Sequence, residues 1–399
     1  MDRILSVFIL RKDLVSKIVA WLLVLSSITG GILLPQPFYF FALALLGIRI
    51  LSIGHIKLSN INVLLLLLVC ALSLVLNDPP SYFRAWERLG VYSLVLFVAS
   101  PLLSSKEASL ERYKVLKYFI YIGTILSVGS FFSYFLDINL FVREGIELDI
   151  GAGTFSGLMN HSMVLGPVSA LSAIFLFSRL IELREDKNRN KGISVGLLFI
   201  LCCGSCLLSA SRGAIGCLVV GCIYVLFCFY RERLSRVVGV TLVVVGIAAA
   251  TFPVWGGLTS FVMQKQQGNL DNGSFFYSRE YKLEARIYEF KSSPIYGIGF
   301  CVLDPQFSGV SKETGRIEPG SSWLAVASMT GLLGLLFFIP ICVFSLRNVW
   351  KMQDRFLSCV LGGMLLFFLI HMSVEGYIYA PKSFLSLLFW LIVASISDR

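Results

Sequence analysis

The chain has 399 residues, of which 56% are hydrophobic and 15% are charged, and it carries a net charge of +10. Soluble domains contain about 25% charged residues, so this composition excludes an ordinary soluble fold. About 20 apolar residues cross a bilayer as a helix, and roughly twelve such helices fit into a chain of this length. The apolar runs do not alternate with period two, which argues against membrane-spanning strands. We therefore expect an all-α polytopic membrane protein.

Twelve apolar runs, read in chain order, predict about twelve transmembrane helices. The runs lie at residues 16–34, 37–53, 58–76, 89–104, 113–136, 157–180, 193–210, 214–230, 236–255, 323–347, 355–374 and 380–396. The first run lacks a signal-peptide cleavage pattern, so we expect it to remain as an anchor. The predicted parts of the chain are N-terminal transmembrane helices at 1–150, further transmembrane helices at 151–255, a large outer loop with short helices at 256–322 and C-terminal transmembrane helices at 323–399.

The distribution of charge predicts how the chain is oriented. An even number of spans places both termini on one side, and a cytoplasmic placement puts most Lys and Arg residues inside, as the positive-inside rule requires. The basic loop 181–192 then lies in the cytoplasm, and the loop 256–322 lies outside. The positive net charge therefore reports topology and contact with anionic membrane lipids, and we expect no nucleic-acid partner.

No motif in the sequence indicates a bound nucleotide, cofactor or metal ion. There is no P-loop, no GxGxxG that opens a helix after a strand, and no HExxH. Cys203 and Cys206 form a CxxC, but they lie inside an apolar run without a second pair, which favours packed side chains over a metal site. Of the ten cysteines only Cys301 falls in the large loop, so we predict that it is unpaired.

Arg212 lies in a short link between two apolar runs, at the predicted outer face. A cation at this depth either extends its side chain to the interface or holds an anion. The planar guanidinium group forms paired hydrogen bonds with phosphate oxygens, so the second interpretation is a site for the phosphates of a lipid-linked substrate.

A second basic feature is predicted in the large loop, where residues 278–291 have helical periodicity. Arg279, Lys282 and Arg286 share one arc of this helix beside an apolar stripe, so the helix can pack on the membrane domain and present a basic edge. A solvated helix stabilised by i,i+4 ion pairs is the alternative. We expect the helix to end before Pro294, because residues that precede proline avoid the α region.

Two acidic residues lie at the outer ends of predicted spans. Glu318 precedes the tenth span, and Glu375 ends the eleventh, one helical turn after His371. A carboxylate near arginines at a membrane surface suits a general base for a sugar hydroxyl, and a structural ion pair is the alternative. Asn160 and His161, at the start of the sixth span, are either packed residues or ligands of a substrate.

Four segments together resemble the O-antigen ligase and O-antigen polymerase superfamily. In chain order they are 155–161 (FSGLMNH), 211–214 (SRGA), Arg286 with 293–299 (SPIYGIG), and 321–335, which begins with SSWL and ends with GLLGL. Their order and the position of the one large loop are similar to the family pattern over about residues 150–390. Together with the basic arc of the predicted helix and the turn that contains His371, the resemblance gives a predicted substrate-binding set of Asn160, His161, Ser211, Arg212, Arg279, Lys282, Ser321, Ser322, Trp323 and His371.

The resemblance also implies a metal-independent glycosyltransferase of the bacterial inner membrane, with cytoplasmic termini, a periplasmic active site and no cofactor. A growing glycan would leave undecaprenyl diphosphate for a hydroxyl of the next lipid-linked repeat unit, and a chain-length regulator is a candidate partner. Arg212 and Arg286 would stabilise the diphosphate leaving group, with help from Arg279. Glu318 is the first choice for the base that takes the acceptor proton, and Glu375 is the second.

A ligase and a transporter are the two alternatives to a polysaccharide polymerase. Ligases of this family carry a histidine just before the re-entering span, where this chain has Gly320, which favours a polymerase. A flippase for lipid-linked oligosaccharides would share the many spans and the basic contacts, but such transporters often consist of two similar halves. The large loop has no counterpart in the first half of this sequence, which favours an enzyme.

Overall fold

The structure, a computed structural model, describes residues 12–397 apart from 30–32, 54–55, 141–154, 186–188, 232–238, 240–255, 274–276, 308–310 and 312–314. The described residues are mostly helical. The α-helices are α1 Lys12–Ile28, α2 Gln36–Leu51, α3 Ile61–Asn77, α4 Ala85–Ala99, α5 Lys106–Phe135, α6 Ser162–Glu185, α7 Arg189–Leu208, α8 Arg212–Tyr230, α9 Ser260–Asp271, α10 Tyr277–Ser292, α11 Ser322–Lys351, α12 Arg355–His371 and α13 Phe384–Ser397. Two short strands, β1 Lys57–Leu58 and β2 Leu103–Ser104, pair in antiparallel fashion.

Five of these helices are long and apolar enough to cross a membrane. They are α5, α8 and α11 over their full lengths, α6 over Ser162–Arg184 and α7 over Asn190–Leu208. Five further apolar helices have 10–17 residues each. Eleven of the twelve predicted runs coincide with helices, and the run at 236–255 lies almost wholly outside the described residues. The all-α membrane class is therefore confirmed, while the count of twelve spans and the side on which the termini lie stay predictions.

Helix α13 lies at the centre of the helical core. Every residue from 384 to 396 is buried, and the sequence of the helix is apolar on all sides, as expected for a helix inside a bundle. It packs against α4, α5, α11 and α12. The ring of Trp390 is fully buried and contacts the rings of Tyr92 and Phe338. The surrounding helices thus share one apolar centre, and their ends are free to carry polar groups.

Side-chain caps explain where several helices begin. Asn60, Ser105 and Asp354 each accept a hydrogen bond from a backbone amide in the first turn of α3, α5 and α12, respectively. In the large loop, α10 ends at Ser292, in agreement with the prediction that Pro294 terminates it. The polar residues between the apolar runs therefore set the helix boundaries.

Helix α11 is broken at Gly331, where φ is 67° and ψ is −163°. The backbone of residues 294–299 (PIYGIG) lies in this break and satisfies groups that the broken helix leaves without a partner. The amide of Leu332, for example, donates to the carbonyl of Pro294 at 2.8 Å. A Cβ on Gly331 would lie 2.3 Å from the Ile295 carbonyl, so only glycine fits. The two glycine-containing motifs therefore form one contact, which anchors the large loop to the membrane domain.

Gly297 lies on the other side of this contact, and a substitution there measures how much the contact stabilises the protein. Its φ is +71°, and a Cβ would lie 2.3 Å from the carbonyl carbon of Met329. Because both clashing groups are backbone, we expect Gly297→Ala to destabilise the protein by about 2–4 kcal/mol, measured by thermal unfolding in detergent. Gly216→Ala in α8 is the matched control, since among the described residues no atom lies within 4 Å of a Cβ there. Equal melting temperatures for the two variants would contradict the contact.

Candidate active site at the ends of the membrane helices

Helix α8 begins at Arg212, directly after a tight link from α7. Ala210 in this link has a φ of +49°, and the amide of Ser211 donates to the Ser209 hydroxyl at 3.2 Å, so the chain reverses without an extended loop. The Arg212 side chain is half-buried, and its Nη1 donates to Oε1 of Gln266 in α9. The predicted cation is therefore held at the end of a membrane helix, beside the large loop.

Arg279 of α10 joins the large loop to the segment that follows α12. Its Nη2 donates to the Glu375 carboxylate, and its Nη1 donates to the backbone carbonyl of Val374. Arg279 lies close enough to Arg212 for the two charges to interact. The start of α8 packs on the same segment, because a Cβ on Gly213 would lie 2.7 Å from Val374. The start of α8, which carries Arg212, and the guanidinium group of Arg279 thus lie beside the same segment, which bears the buried Glu375 carboxylate.

One turn further along α10, Lys282 forms a second ion pair with the segment before α11. Its Nζ lies 2.6 Å from Oε1 of Glu318. The backbone carbonyl of Gly320, two residues after Glu318, accepts a hydrogen bond from Nη1 of Arg279 at 3.3 Å. A Cβ on Gly320 would lie 3.0 Å from the Cβ of Lys282, so α10 passes close to this backbone. The basic arc of α10 therefore contacts both acids that the sequence singled out.

The two carboxylates have different environments. Glu375 is 8% exposed, and burial raises its pKa to about 7, although the neighbouring Arg279 acts in the opposite direction. The side chain of Glu318 is 49% exposed. Burial tends to raise its pKa, but Lys282, Arg316 and Arg279 together hold that pKa below its ordinary value. A general base works best when its pKa is near the operating pH, so Glu375 has the more suitable environment.

Arg286, the third member of the basic arc, points into the protein interior. Its side chain and that of Glu289 are each 1% exposed, and its Nη2 donates to the Glu289 carboxylate. The same carboxylate accepts a hydrogen bond at 2.7 Å from the amide of Asp304. Burial lowers the pKa of Arg286 and raises the pKa of Glu289. This pair ties α10 to the loop after it, and Arg286 presents almost no surface to a ligand in this conformation.

His371, at the end of α12, lies beside the start of α8. It is fully buried, and its ring stacks on those of Phe367 and Tyr377 at centroid distances of 5.1 and 5.7 Å. A Cβ on Gly213 would lie 3.6 Å from its Cδ2 and 3.8 Å from its Nε2. Among the described residues, no side chain or backbone group hydrogen-bonds to this Nε2. The ring therefore keeps one unpaired nitrogen next to the residue that follows Arg212.

Ser321, Ser322 and Trp323, which were predicted to bind substrate, form structural hydrogen bonds at the start of α11. The hydroxyl of Ser321 caps the helix and donates to the Met372 carbonyl at 3.1 Å. The hydroxyl of Ser322 is buried and donates to the backbone carbonyl of Glu375 at 2.7 Å. The indole of Trp323 donates to a carbonyl of α12 at 3.0 Å. These bonds fix the backbone that carries the Glu375 carboxylate.

Asn160 and His161 form the start of α6. The backbone amide of Asn160 donates to the Ile28 carbonyl at 2.9 Å. Nδ1 of His161 accepts a hydrogen bond from the backbone amide of Met163 at 3.0 Å. Gly166, one turn later, packs on the link before α8, since a Cβ there would lie 2.6 Å from the Cβ of Ser211. Asn160 thus joins α6 to α1, and its role and that of His161 in binding a substrate stay predictions.

Part of the chain is similar to a known protein family. Residues 197–339 match the sequence model of the O-antigen ligase family. The resemblance to the O-antigen ligase and polymerase superfamily is confirmed. The match runs from α7 into α11 and contains Arg212, all of α10 and Glu318, whereas His371 and Glu375 lie beyond it. No match was found among curated proteins. The family supports glycan transfer of the ligase and polymerase type in general.

Three contributors to the site were not predicted from the sequence. Gln266 contacts Arg212, and Glu289 pairs with Arg286. Gly376 packs so closely that a Cβ would lie 2.4 Å from the side chain of Pro319, which brings the segments of the two acids together. The i,i+3 spacing of Arg286 and Glu289 was a usable signal for their ion pair. The other two contacts join residues far apart in the chain and leave no local pattern.

Cys301 occupies a buried position with a φ of +57°. Its thiol donates to the Tyr379 carbonyl at 2.9 Å, and burial raises its pKa to about 12. Because a hydroxyl can donate the same hydrogen bond, we expect Cys301→Ser to change glycan synthesis by no more than about twofold. Polymer yield, normalised to the protein level in membranes, measures the effect. Loss of polymer with a normal protein level would show that the thiol has a further role.

Proposed function

We propose that this protein is a polysaccharide polymerase that transfers a growing glycan from undecaprenyl diphosphate to the next lipid-linked repeat unit. The observation that carries the proposal is the cluster of Arg212, Arg279 and the buried Glu375. Guanidinium groups bind diphosphate oxygens through paired, charge-assisted hydrogen bonds. A site at the ends of membrane helices also suits a lipid whose anionic head lies at the bilayer surface.

In the proposed reaction a base acts on the acceptor hydroxyl, and a pair of cations acts on the leaving group. Glu375 accepts the proton of the acceptor hydroxyl while the hydroxyl oxygen forms a bond to the anomeric carbon. The bond between the carbon and the diphosphate oxygen breaks, and Arg212 and Arg279 stabilise the charge on the departing lipid diphosphate. The proton then passes from Glu375 to solvent. The donor is already activated as a diphosphate, so the step requires no nucleotide sugar.

Arg279 links the two halves of this reaction. It donates to Glu375 and lowers the pKa that burial raises. A bound diphosphate would compete with Glu375 for the same guanidinium group. As Arg279 turns toward the diphosphate, the carboxylate loses its nearest cation and becomes a stronger base. Donor binding would therefore activate the base for the acceptor.

The family resemblance implies that Arg286 contacts the diphosphate, but we propose a positioning role for it. Because it is buried against Glu289, it would position α10 and would reach the diphosphate only after that ion pair breaks. Arg279, on the same helix and more exposed, takes over the direct contact. Arg212 and Arg279 are accordingly the proposed diphosphate ligands.

The preference for a polymerase over a ligase rests on Gly320. Its φ is +82°, and a Cβ would lie 3.0 Å from Lys282, so the backbone here favours glycine and the histidine of the ligases has no counterpart. The acceptor base would then be a neighbouring carboxylate. We further propose that the protein resides in the bacterial inner membrane with this site facing the periplasm, and that a chain-length regulator acts with it.

The lipid-linked glycan of a deletion strain tests the proposed function. A polymerase defect should leave single repeat units on the lipid carrier, and the gene supplied in trans should restore long chains. Long chains that accumulate on the carrier would instead indicate a ligase. A normal set of lipid-linked chains would contradict both activities.

A further inference from the structure

A cavity of about 820 Å³ adjoins the candidate active site. Binding sites for small ligands occupy about 300–1,000 Å³, so this cavity is large enough for one ligand. Its described lining comes from the starts of α2, α4 and α11, from Cys301, from the segment before α11 and from the segment between α12 and α13. Pro319 and Gly376 belong to this lining and directly follow Glu318 and Glu375. The cavity and the candidate active site therefore share one wall.

The described lining of this cavity is strongly basic. Four cations and one carboxylate contribute to it, namely Arg84, Arg88, Arg316, Lys382 and Glu87. Glu87 forms an exposed ion pair with Arg84. Arg88 donates to a backbone carbonyl, and Lys382 donates to the amide oxygen of Gln36 at 3.0 Å. Glu318, which interacts with Arg316, and Glu87 are the carboxylates found beside these four cations among the described residues, so the charge around the cavity stays positive and favours an anion.

Neutral groups in the same lining suit a sugar. Gln36 and Ser383 provide an amide and a hydroxyl, which can exchange hydrogen bonds with sugar hydroxyls. Tyr377 and Tyr379 add aromatic surface. Arg212 and Arg279 do not belong to the described lining, so the lipid diphosphate has its own cations on the other side of the wall. An anion in the cavity would come from a different part of the substrate.

We propose that this cavity binds an acidic sugar of the glycan, through a carboxylate that meets Arg316 and Lys382. The inference rests on the proposed function, because the glycan is the ligand. A repeat unit that presents its hydroxyl to Glu375 lies against the shared wall, and its neighbouring sugar would extend into the cavity. The protein would therefore prefer acidic repeat units to neutral ones.

Direct binding to the full-length purified protein tests this proposal without catalysis. The probes are trigalacturonate, the neutral galactotriose and inorganic diphosphate, with dissociation constants measured by saturation-transfer NMR. We expect wild-type protein to bind trigalacturonate at least about tenfold more tightly than galactotriose, as charge-assisted hydrogen bonds predict. The double variant Arg316→Gln/Lys382→Gln should lose this preference. Arg88 is left unchanged, because its hydrogen bond to a loop carbonyl contributes to the fold.

Two controls keep the result interpretable. Lys191→Gln removes an exposed cation of α7 outside the described lining and should leave all three affinities unchanged. Diphosphate should still bind to the double variant, which shows that the protein is folded, and should be weakened by Arg212→Gln. Equal binding of the two trisaccharides, or a preference that survives in the double variant, would overturn the proposal. So would loss of diphosphate binding in the double variant but not in Arg212→Gln, since the cavity would then be the diphosphate site.

These outcomes are separate from the test of the proposed function. A strain that accumulates no single repeat units would refute the polymerase, whatever the trisaccharide affinities are. Conversely, a confirmed polymerase without a preference for trigalacturonate would refute only the assignment of the cavity.

Discussion

Glu375→Gln should reduce polymer synthesis by roughly 10²–10⁴-fold, because the amide cannot accept the proton of the acceptor hydroxyl. Glutamine has the same size and keeps an oxygen that can accept the hydrogen bond from Arg279, so the protein should still fold and bind the donor. The measurement is the rate of chain extension in membranes with matched protein levels. Glu318→Gln is the control, since its carboxylate is half exposed and pairs with Lys282, and we expect a loss below about tenfold.

The pH dependence distinguishes the two carboxylates further. Burial raises the pKa of Glu375 to about 7, so the base is protonated and inactive below that pH. At limiting donor concentration, where the free enzyme governs the rate, the wild-type rate should therefore rise as the pH increases through 7. This rise should be absent from the residual activity of Glu375→Gln. The pKa of Glu318 lies below its ordinary value, and a rate governed by Glu318 would be flat above pH 6. A flat profile together with an inactive Glu318→Gln would exchange the two roles.

Arg212→Lys should abolish most polymer synthesis while the protein level in membranes stays normal. An arginine that only extends to the interface needs length and charge, and lysine supplies both. An arginine that holds a diphosphate through paired hydrogen bonds also needs the planar fork, which an ammonium group cannot reproduce. The length distribution of the polymer, beside the protein level in the same cells, measures the effect.

Two further variants give this experiment its controls. Arg184→Lys changes an exposed arginine of α6 and should be silent. Gln266→Ala removes the residue that Arg212 contacts but leaves the guanidinium group in place, so we expect only a small effect. If Gln266→Ala were as defective as Arg212→Lys, the contact within the protein would explain the phenotype. Full-length polymer from Arg212→Lys would leave Arg212 as an interface anchor.

Local patterns in the sequence were sufficient to locate many elements of the fold. Apolar runs marked the helices because a helix in a bilayer satisfies its backbone hydrogen bonds internally and turns apolar side chains toward the lipid. Pro294 marked the end of α10, and the spacing of Arg279 and Lys282 placed both on the side that contacts Glu375 and Glu318. Each of these features depends on residues within a few turns of one another.

Contacts between distant segments account for what the sequence did not reveal. Arg286 shares an arc with Arg279, yet burial against Glu289 removes it from the surface, and burial depends on the loop that covers α10. Ser322 resembled a ligand, but its hydroxyl holds the Glu375 backbone, 53 residues away in the chain. Which of Glu375 and Glu318 is the better base also depends on burial, which contacts between distant segments determine. Side-chain chemistry was thus predictable, but the partner of each side chain was not.

Reconstitution of the purified protein with one lipid-linked repeat unit tests the central claim most directly. The substrate is an undecaprenyl-diphosphate-linked oligosaccharide in vesicles, without nucleotide sugar, and the products are separated by length. We predict a ladder of lipid-linked chains that grows in steps of one repeat unit, with one lipid diphosphate released for each bond formed. The ladder should be absent with Glu375→Gln and with Arg212→Lys. Substrate that remains as single units with folded wild-type protein in the vesicles, or a ladder that both variants still produce, would contradict the account.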